Sequence, residues 1–339
     1  MNWTQLGQIF FKFEAEKAHE MVLKLIAGSP SWLLRRLVTT GDDQLLTRAL
    51  GMDFRNPVGL AAGFDKSATI FQNLAYMGFG FAELGTITPL AQSGNPKPRL
   101  FRDVDRQCLF NRMGFNNDGA KIVAKRIEAK RHKLPKNFRL GVNIGKNAKT
   151  VLGKAAEDYR MGAKVFLNLC DYLVINVSSP NTPALRSLQS RDEILKIVEA
   201  VLNQKAQSSS PCPILIKFAP EFRGDELHKS LSALETLGAD GFVISNTLAG
   251  THQNLSGGWS GGCLSEISKE ALVELRSQTR LPVISVGGIM TSEEACRRFN
   301  LGADLIQIYS GWVFKGPSFP FEIVDALRTM SVHKSQKAV

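Results

Sequence analysis

Residues 172–183 read Tyr-Leu-Val-Ile-Asn-Val-Ser-Ser-Pro-Asn-Thr-Pro and join a predicted buried strand to a polar site. The apolar run 172–175 is short and rich in β-forming residues, as in a strand buried on both faces. Two amides and two hydroxyls follow at the end of that strand, on Asn176, Ser178, Ser179 and Asn181. A connecting loop needs no such density of hydrogen-bonding groups. The stretch therefore predicts a site that holds a planar polar ligand and moves a proton.

Seven further runs resemble this strand, and most are apolar without alternation. The eight predicted strands are 58–62, 80–85, 140–144, 172–177, 214–219, 241–245, 283–287 and 305–309. Helical patterns lie between most of them, at 188–206, 225–237, 269–278 and 292–301. Eight β/α alternations favour an α/β fold of the (β/α)8 TIM barrel type, with an open doubly wound sheet as the alternative. The long interval 86–139 predicts an insertion over one mouth of the barrel.

The first 45 residues carry a different pattern. Apolar residues recur there at three- and four-residue spacing, interrupted by charged ones, which predicts an N-terminal extension of two amphipathic helices broken at Pro30. The extension is either a helical cap docked on the barrel or an interfacial membrane module, and its Trp and Phe beside Lys and Arg favour the module. We therefore divide the chain into a module at 1–45, a barrel at 46–330 and a disordered tail at 331–339.

Composition and motifs exclude several classes of protein. No run of 18 apolar residues occurs in the 339-residue chain, and the N-terminus lacks the pattern of a secretory signal. The five cysteines are far apart and form no Cys-x-x-Cys motif, so we expect neither a disulfide nor a zinc site. We therefore expect the protein to work in a reducing compartment. No histidine pair, metal cluster or Gly-x-Ser-x-Gly motif is present, which argues against metal and triad hydrolase chemistry.

The positive charge is concentrated in one block. Residues 93–150 hold fifteen Lys and Arg against four Asp and Glu, which accounts for the whole net charge of +11. The block is either a solvated basic helix or a face turned toward an acidic substrate, a phosphate or an anionic membrane. It lacks interleaved aromatic residues, so we expect no nucleic acid partner.

The remaining polar residues of note also follow predicted strands. Lys217 lies inside an apolar strand, where a cation is costly without an anionic partner. Gly287-Gly288 after the seventh strand and Tyr309-Ser310-Gly311 after the eighth are typical of the two loops in which barrels bind phosphate. A phosphate-anchored planar cofactor beside an internal lysine and many amides suggests flavin mononucleotide (FMN), whose reduced form a cation stabilises.

Five motifs in order resemble dihydroorotate dehydrogenases of class 2, the quinone-reducing, membrane-associated branch. They are Ala-Ala-Gly-Phe-Asp-Lys at 61–66, Asn-Arg-Met-Gly-Phe-Asn at 111–116, Asn-Ile-Gly-Lys-Asn at 143–147, Asn-Val-Ser-Ser-Pro-Asn-Thr-Pro at 176–183 and Gln-Ile-Tyr-Ser-Gly at 307–311. The resemblance runs from about residue 50 to 327, and the two N-terminal helices match the extension that distinguishes class 2 from class 1.

The resemblance implies two sets of binding residues. FMN would be bound by Ala62, Gly63, Phe64, Asp65, Lys66, Thr86, Asn143, Asn176, Lys217, Ser245, Gly261, Gly288, Tyr309 and Ser310. Dihydroorotate would be bound by Lys66, Asn111, Arg112, Met113, Gly114, Phe115, Asn176, Asn181, Asn246 and Thr247. The implied reaction oxidises (S)-dihydroorotate to orotate in the de novo biosynthesis of UMP.

The resemblance also implies how the reaction proceeds. Ser179 would be the base that takes the C5 proton while the C6 hydride passes to the flavin. Class 1 enzymes use a cysteine for that step, so the serine favours class 2. The N-terminal helices would form the mouth of a tunnel for a membrane quinone, with Arg102 at its inner end. No metal is implied, and we expect a monomer associated peripherally with lipid at the cytoplasmic face of the inner membrane.

Two rival hypotheses come from other functional classes. A tRNA-dihydrouridine synthase is also an FMN barrel, but that family uses a catalytic cysteine and carries an added RNA-binding domain. A non-catalytic phosphate-binding barrel on the membrane surface would leave Lys217 and Ser179 without a role.

Overall fold

The computed structural model of the chain describes residues 7, 9–38, 44–182 and 184–337. Pro183 of the polar turn, and the apolar positions Trp3 and Leu6 of the predicted extension, lie outside these residues.

Eight parallel strands form a closed barrel, so the TIM barrel prediction is confirmed and the open sheet is wrong. A hairpin of Thr47–Ala49 (β1) and Met52–Phe54 (β2) comes before the barrel. The strands that follow include the eight of the barrel and four of a separate small sheet. In chain order the first are Val58–Leu60 (β3), Phe81–Ile87 (β4), Leu100–Asp103 (β5), Cys108–Asn111 (β6), Arg139–Ile144 (β7), Tyr172–Asn176 (β8), Ile214–Phe218 (β9) and Gly241–Ile244 (β10). The series ends with Leu248–His252 (β11), Leu255–Gly261 (β12), Val283–Val286 (β13) and Leu305–Ile308 (β14). The small sheet consists of β5, β6, β11 and β12. The order around the barrel is β3-β4-β7-β8-β9-β10-β13-β14, and β14 pairs with β3 to close it.

Helices follow the strands and cover the outside of the barrel. In chain order they are Ala15–Gly28 (α1), Ser31–Val38 (α2), Phe71–Leu74 (α3), Ala120–Lys130 (α4), Ala155–Phe166 (α5), Arg191–Ala206 (α6), Gly224–Leu237 (α7), Ser265–Gln278 (α8), Ser292–Asn300 (α9), Ser310–Lys315 (α10) and Phe319–Lys337 (α11). Short 3-10 turns occur at Arg131–Lys133, Leu152–Lys154, Leu185–Gln189 and Gly262–Leu264. Thr291 caps α9, since its hydroxyl accepts a hydrogen bond from Glu294 N at 3.2 Å.

Two apolar clusters explain where the site lies. The larger cluster fills the space between strands and outer helices. The smaller one lies inside the barrel, where Phe81 and Tyr172 stand at the first positions of their strands and Phe54 of the hairpin packs against Phe81. Because apolar side chains fill the amino-terminal end of the interior, the polar residues at the carboxyl-terminal ends line the remaining space.

The predicted insertion forms a small sheet at that end. Strand β6 of the interval 86–139 pairs with β5 on one side and with β12 on the other. Strand β12 pairs in turn with β11, which gives the four-stranded order β11-β12-β6-β5. The same interval holds α4, whose buried face is apolar while Lys121 and Lys125 are exposed. The helical part of the basic block is therefore a solvated face.

The N-terminal helices pack beside this sheet. The Glu14 carboxylate caps α1 by accepting hydrogen bonds from the backbone N–H groups of Glu16 and Lys17. Large apolar side chains of this region stay exposed, with Leu25 at 57% and Trp32 at 65%. Among the residues that the structure describes, no helix has the length and apolar character needed to cross a membrane.

One sequence-based expectation is wrong. The structure records a disulfide between Cys108 and Cys263, because pairing of β6 with β12 brings positions 155 residues apart to a Cα separation of 6.1 Å. Spacing along the chain did not reveal that proximity. Helix α11 extends through Lys337 into the segment predicted to be disordered from 331, and the disorder stays a prediction.

Candidate active site

One cavity at the carboxyl-terminal ends of the strands collects most of the predicted site residues. It encloses about 1100 Å³, including its open mouth. The predicted residues that line it are Ala62, Gly63, Lys66, Thr86, Asn111, Met113, Gly114, Phe115, Asn176, Ser179, Asn181, Lys217, Ser245, Asn246, Thr247, Gly261, Gly288, Tyr309 and Ser310. Two lysines and no carboxylate are among the described lining residues, so the cavity suits an anionic ligand.

Five predicted residues do not line the cavity: Phe64, Asp65, Arg102, Arg112 and Asn143. The Asp65 carboxylate accepts hydrogen bonds from the backbone of Thr69 and Ile70, which fixes the turn after β3. Phe64 packs on Tyr309 and on Trp312, with ring centroids 5.5 and 4.9 Å apart. Asp65 and Phe64 thus support the loop that carries Lys66.

Ser179 is 5% exposed and lies just beyond β8, against the cavity. Its Oγ accepts a hydrogen bond from the Asn181 backbone N–H at 3.2 Å. The Asn181 side chain donates in turn to Asn111 Oδ1 at 2.7 Å, joining the loop after β8 to the insertion strand β6. Within the described part of the chain, no carboxylate or imidazole is hydrogen-bonded to Ser179, so its reactivity depends on exclusion of water.

Buried amides from neighbouring strands form one connected network. Asn176 Nδ2 donates to Thr86 Oγ1 at 2.9 Å and to Asn143 Oδ1 at 3.1 Å. Asn176 Oδ1 accepts from the Ser178 hydroxyl at 3.0 Å and from Asn246 Nδ2 at 3.3 Å. Since each amide is held by its neighbours, the network orients Asn176 and Asn246 toward a planar ligand before it binds. Ser178 serves the network, and Ser179 stays available to the cavity.

Glu83 of β4 is the main residue that the sequence analysis missed. It is 1% exposed, accepts from Asn143 Nδ2 at 2.7 Å and from Gln307 Nε2 at 2.6 Å, and lies 3.6 Å from Lys217 Nζ. Lys217 therefore has an internal anionic partner and still lines the cavity. The signal that could have found Glu83 is a carboxylate inside the apolar strand 81–87, complementary to the lysine in β9.

Lys66 supplies the second cation of the cavity. The pKa of Lys66 is lowered to about 8, chiefly by burial and also by the charge of Arg99, while Glu16 and Asp65 act in the opposite direction. Glu16 belongs to α1, so a helix of the N-terminal extension acts electrostatically on a cavity residue. Burial together with Lys66 lowers the pKa of His19, also on α1, to about 3, so this imidazole is neutral at physiological pH.

The loops after β13 and β14 and the end of β12 form a cradle of backbone and hydroxyl groups. Gly288 has φ of +71° and Gly261 has φ of +91°, and a Cβ at either position would collide with neighbouring backbone. Ser260 and Ser310 hydroxyls from the two sides lie 2.9 Å apart. Close-packed glycines, hydroxyl donors and the absence of lining carboxylates fit a phosphate group.

Arg298 of α9 lies behind this cradle and was also missed. It is fully buried, donates to Glu294 Oε1 at 2.7 Å and reaches the carbonyl oxygens of Gly287 and Ser265 at 3.1 Å. One guanidinium thus fixes the loop after β13 against the start of α8. No sequence motif distinguishes it from a surface arginine of an amphipathic helix.

Arg102 lies on β5 beside the N-terminal region and outside the cavity. Its guanidinium stacks over the Phe11 ring at 4.5 Å and donates to the Phe11 carbonyl at 3.3 Å. Burial lowers the pKa of Arg102, and Glu14 opposes the shift. The predicted quinone residue is thus in contact with the N-terminal extension.

The arrangement can bind a flat anionic ligand, accept a proton at Ser179 and hold a phosphate at the opposite side. Comparison with known proteins gives the family. The sequence model of dihydroorotate dehydrogenase matches residues 44–330. The dihydroorotate dehydrogenase (quinone) of Halorhodospira halophila is 38% identical and covers 99% of this chain and 100% of its own length. The dihydroorotate dehydrogenase (quinone) of Stutzerimonas stutzeri is also 38% identical, over 95% of this chain and 97% of its own length.

Solved structures agree with this result. The crystal structure of the Eimeria tenella DHODH in complex with ferulenol superposes with a TM-score of 0.86 at 34% identity, over 94% of this chain and 92% of the other. The ligand-free structure of DHODH from the same organism superposes with a TM-score of 0.83 at 33% sequence identity. The tRNA-dihydrouridine synthase and the non-catalytic barrel are therefore excluded as families. This chain belongs to the dihydroorotate dehydrogenase family, within its quinone-dependent branch.

Proposed function

We propose that this protein oxidises (S)-dihydroorotate to orotate in de novo pyrimidine biosynthesis, with FMN as internal hydride acceptor and a membrane quinone as final acceptor. The single observation that carries the proposal is that Ser179, the amide network and both lysines meet in one cavity. Membership of the quinone-dependent branch supports the choice of substrate and acceptor.

The substrate has a ring with two carbonyls and one carboxylate, and the cavity offers matching groups. Lys66 is the cation for the carboxylate, and the amides of Asn111, Asn176, Asn181 and Asn246 suit the ring's carbonyl and N–H groups. The buried Oδ1 of Asn181 and Oγ1 of Thr247 have no hydrogen-bond partner among the described residues, which supports this assignment, since each needs a partner inside the site.

The residues around the cradle fit FMN. Gly261, Gly288, Tyr309 and Ser310 would bind its phosphate, while Ala62, Gly63, Thr86 and Lys217 line the path toward the amide network. Bound FMN supplies a ring system that accepts a hydride from the substrate. Lys217 places a positive charge beside that ring, and Glu83 holds the lysine in position.

Ser179 is the proposed base for the proton at C5. Its hydroxyl is fixed by the Asn181 N–H and buried, so a bound substrate would exclude water from it. The substrate's carboxylate on Lys66 and its ring on the amides would fix the distance between C5 and Oγ. Asn176 and Asn181 therefore orient the substrate, and Ser179 acts on it.

The second half of the reaction is assigned to the N-terminal extension. Exposed apolar side chains on α1 and α2 suit partial insertion into the interfacial region of a membrane, and Arg102 beside Phe11 would lie at the inner end of a quinone path. We propose a monomer bound peripherally at the cytoplasmic face of the inner membrane.

One experiment tests the proposed function. Purified protein is expected to be yellow, and its flavin absorbance is expected to bleach when dihydroorotate is added without oxygen. Addition of a water-soluble quinone should restore the absorbance. Protein that contains no FMN, or flavin that dihydroorotate leaves oxidised, would overturn the proposal.

A further inference from the structure

A buried ion pair connects the N-terminal helix α1 to the insertion sheet. Arg99 Nη2 lies 2.8 Å from Glu16 Oε1, and Arg99 Nε contacts both carboxylate oxygens at 3.1 and 3.2 Å. Both side chains are nearly inaccessible, at 4% for Glu16 and 8% for Arg99. Lys97 is a second, exposed partner at 3.4 Å. Exposed ion pairs contribute little to the stability of the fold. Removing one member of a buried pair is destabilising, because it leaves the other charge buried without a partner.

Arg99 also holds the loop around Asn95, which contacts the turn that carries Ser179. Arg99 Nη1 donates to the Asn95 carbonyl at 2.9 Å, and the Arg99 carbonyl accepts from Arg112 N at 2.8 Å. Asn95 Nδ2 donates to the Asn181 carbonyl at 3.1 Å. Asn181 N is the group that donates to Ser179 Oγ. An unbroken chain of contacts thus runs from α1 to the proposed base.

Charge provides a second connection between α1 and the cavity. The charged groups that influence the pKa of Lys66 are Glu16 of α1, Arg99 just before β5 and Asp65 of its own loop, and Lys66 in turn influences His19 of α1. His19 is neutral and adds no positive charge near Lys66. The carboxylate of Glu16 offsets the effect of the positive charge of Arg99 on the pKa of Lys66. Without Glu16, Lys66 would lie near Arg99 with only Asp65 as an opposing charge, which disfavours its protonated form.

We propose that Glu16 is a positioning residue of the substrate site: through Arg99 and Asn95 it holds the turn that carries Ser179. The N-terminal extension then contributes to the oxidation of dihydroorotate itself as well as to quinone access. This inference rests on the proposed function, because it assumes that dihydroorotate binds beside Lys66 and Ser179.

The test uses the full-length, FMN-loaded protein and measures flavin reduction by dihydroorotate in anaerobic rapid mixing. In Glu16→Gln we expect the dissociation constant for dihydroorotate near pH 8 to rise about tenfold, and the pH at which affinity falls to decrease by about one unit. The limiting rate of reduction should fall as well. Glu20→Gln is the matched control, since Glu20 lies on the same helix, is exposed and contacts only Lys97 among described side chains; it should behave as wild type.

A second variant separates the two connections. Asn95→Ala removes the side-chain hydrogen bonds to the Asn181 and Arg112 carbonyls without altering any charge, so it should lower the limiting rate and leave the pH dependence of affinity unchanged. If Glu16→Gln binds and reduces as wild type does, or if Glu20→Gln is impaired equally, the inference is wrong. If Glu16→Gln does not accumulate as flavin-loaded protein, Asn95→Ala decides, and an unchanged limiting rate then overturns the inference. Failure of the wild type to bleach would instead reject the proposed function.

Discussion

Lys217 and Glu83 form an ion pair inside the barrel, with Nζ 3.6 Å from Oε1 and neither side chain more than 5% exposed. They lie on β9 and β4, more than a hundred residues apart in sequence, and meet because both strands face the interior. Two hydrogen bonds to Glu83, from Asn143 and Gln307, compensate for the loss of water around its carboxylate. Glu83 thereby holds the ammonium group of Lys217 in place at the wall of the cavity.

Neutralising Glu83 should therefore destabilise the fold. Glu83→Gln is expected to lower the free energy of unfolding by about 3 kcal/mol, because it leaves Lys217 buried without a counter-charge. Urea denaturation monitored by circular dichroism measures the loss. The double variant Glu83→Gln/Lys217→Met should lose less than Glu83→Gln alone, since it removes the unpaired charge too. Additive losses in the double variant would contradict the assignment of the pair.

Replacement of the proposed base should separate chemistry from binding. Ser179→Ala is expected to keep its FMN and to slow flavin reduction by dihydroorotate about 10²- to 10⁴-fold, the range typical of a lost general base. Stopped-flow absorbance measures the rate. Ser187→Ala is a suitable control, because Ser187 is exposed in the following 3-10 turn and bonds only to the Ala184 carbonyl. Reduction at the wild-type rate in Ser179→Ala would remove Ser179 as the base.

Substrate affinity should depend on the protonation of Lys66. Burial lowers the pKa of Lys66 to about 8, so the side chain is cationic below that pH and neutral above it. A bound carboxylate favours the cation, and affinity for orotate should therefore decrease as the pH rises through about 8. Spectral titration of the flavin at several pH values measures this dependence. Lys66→Gln should bind weakly at every pH, and an unchanged pH dependence in that variant would show that another group titrates.

Membrane association should depend on the exposed apolar residues of the N-terminal helices. Leu25→Glu replaces a leucine that is 57% exposed on α1 and should weaken sedimentation with anionic vesicles about tenfold. Val273→Glu is the matched control on the outer helix α8, where the valine is 48% exposed. Equal losses in both variants would indicate a non-specific charge effect. Flavin reduction by dihydroorotate should be unaffected in either variant, because neither side chain lines the cavity.

The sequence predictions succeeded for features that are encoded within one short segment of the chain. The barrel strands could be read from continuous apolar runs, since burial on both faces leaves its pattern within five or six residues. Ser179, Asn176 and Asn181 were found for the same reason, because one strand end presents them together. Glu83 and Arg298 were missed because each is defined by partners on other strands and helices.

The pairing of Cys108 with Cys263 was missed for a related reason. Strand β6 belongs to the insertion after β4 and β12 to the hairpin after β10, so their adjacency is a property of the small sheet alone. The disorder predicted from residue 331 stays a prediction, and helix α11 extends to Lys337.

The sequence by itself determined the β/α order, the strand ends that carry the site and the residue types of the cavity, since each of these is encoded within a short segment. Only the tertiary structure decided which of those residues share a wall, that Lys217 is paired with Glu83, and that Glu16 of the N-terminal helix is paired with Arg99. Electrostatic and hydrogen-bonding partners are set by distance in three dimensions, and closure of the barrel creates those distances.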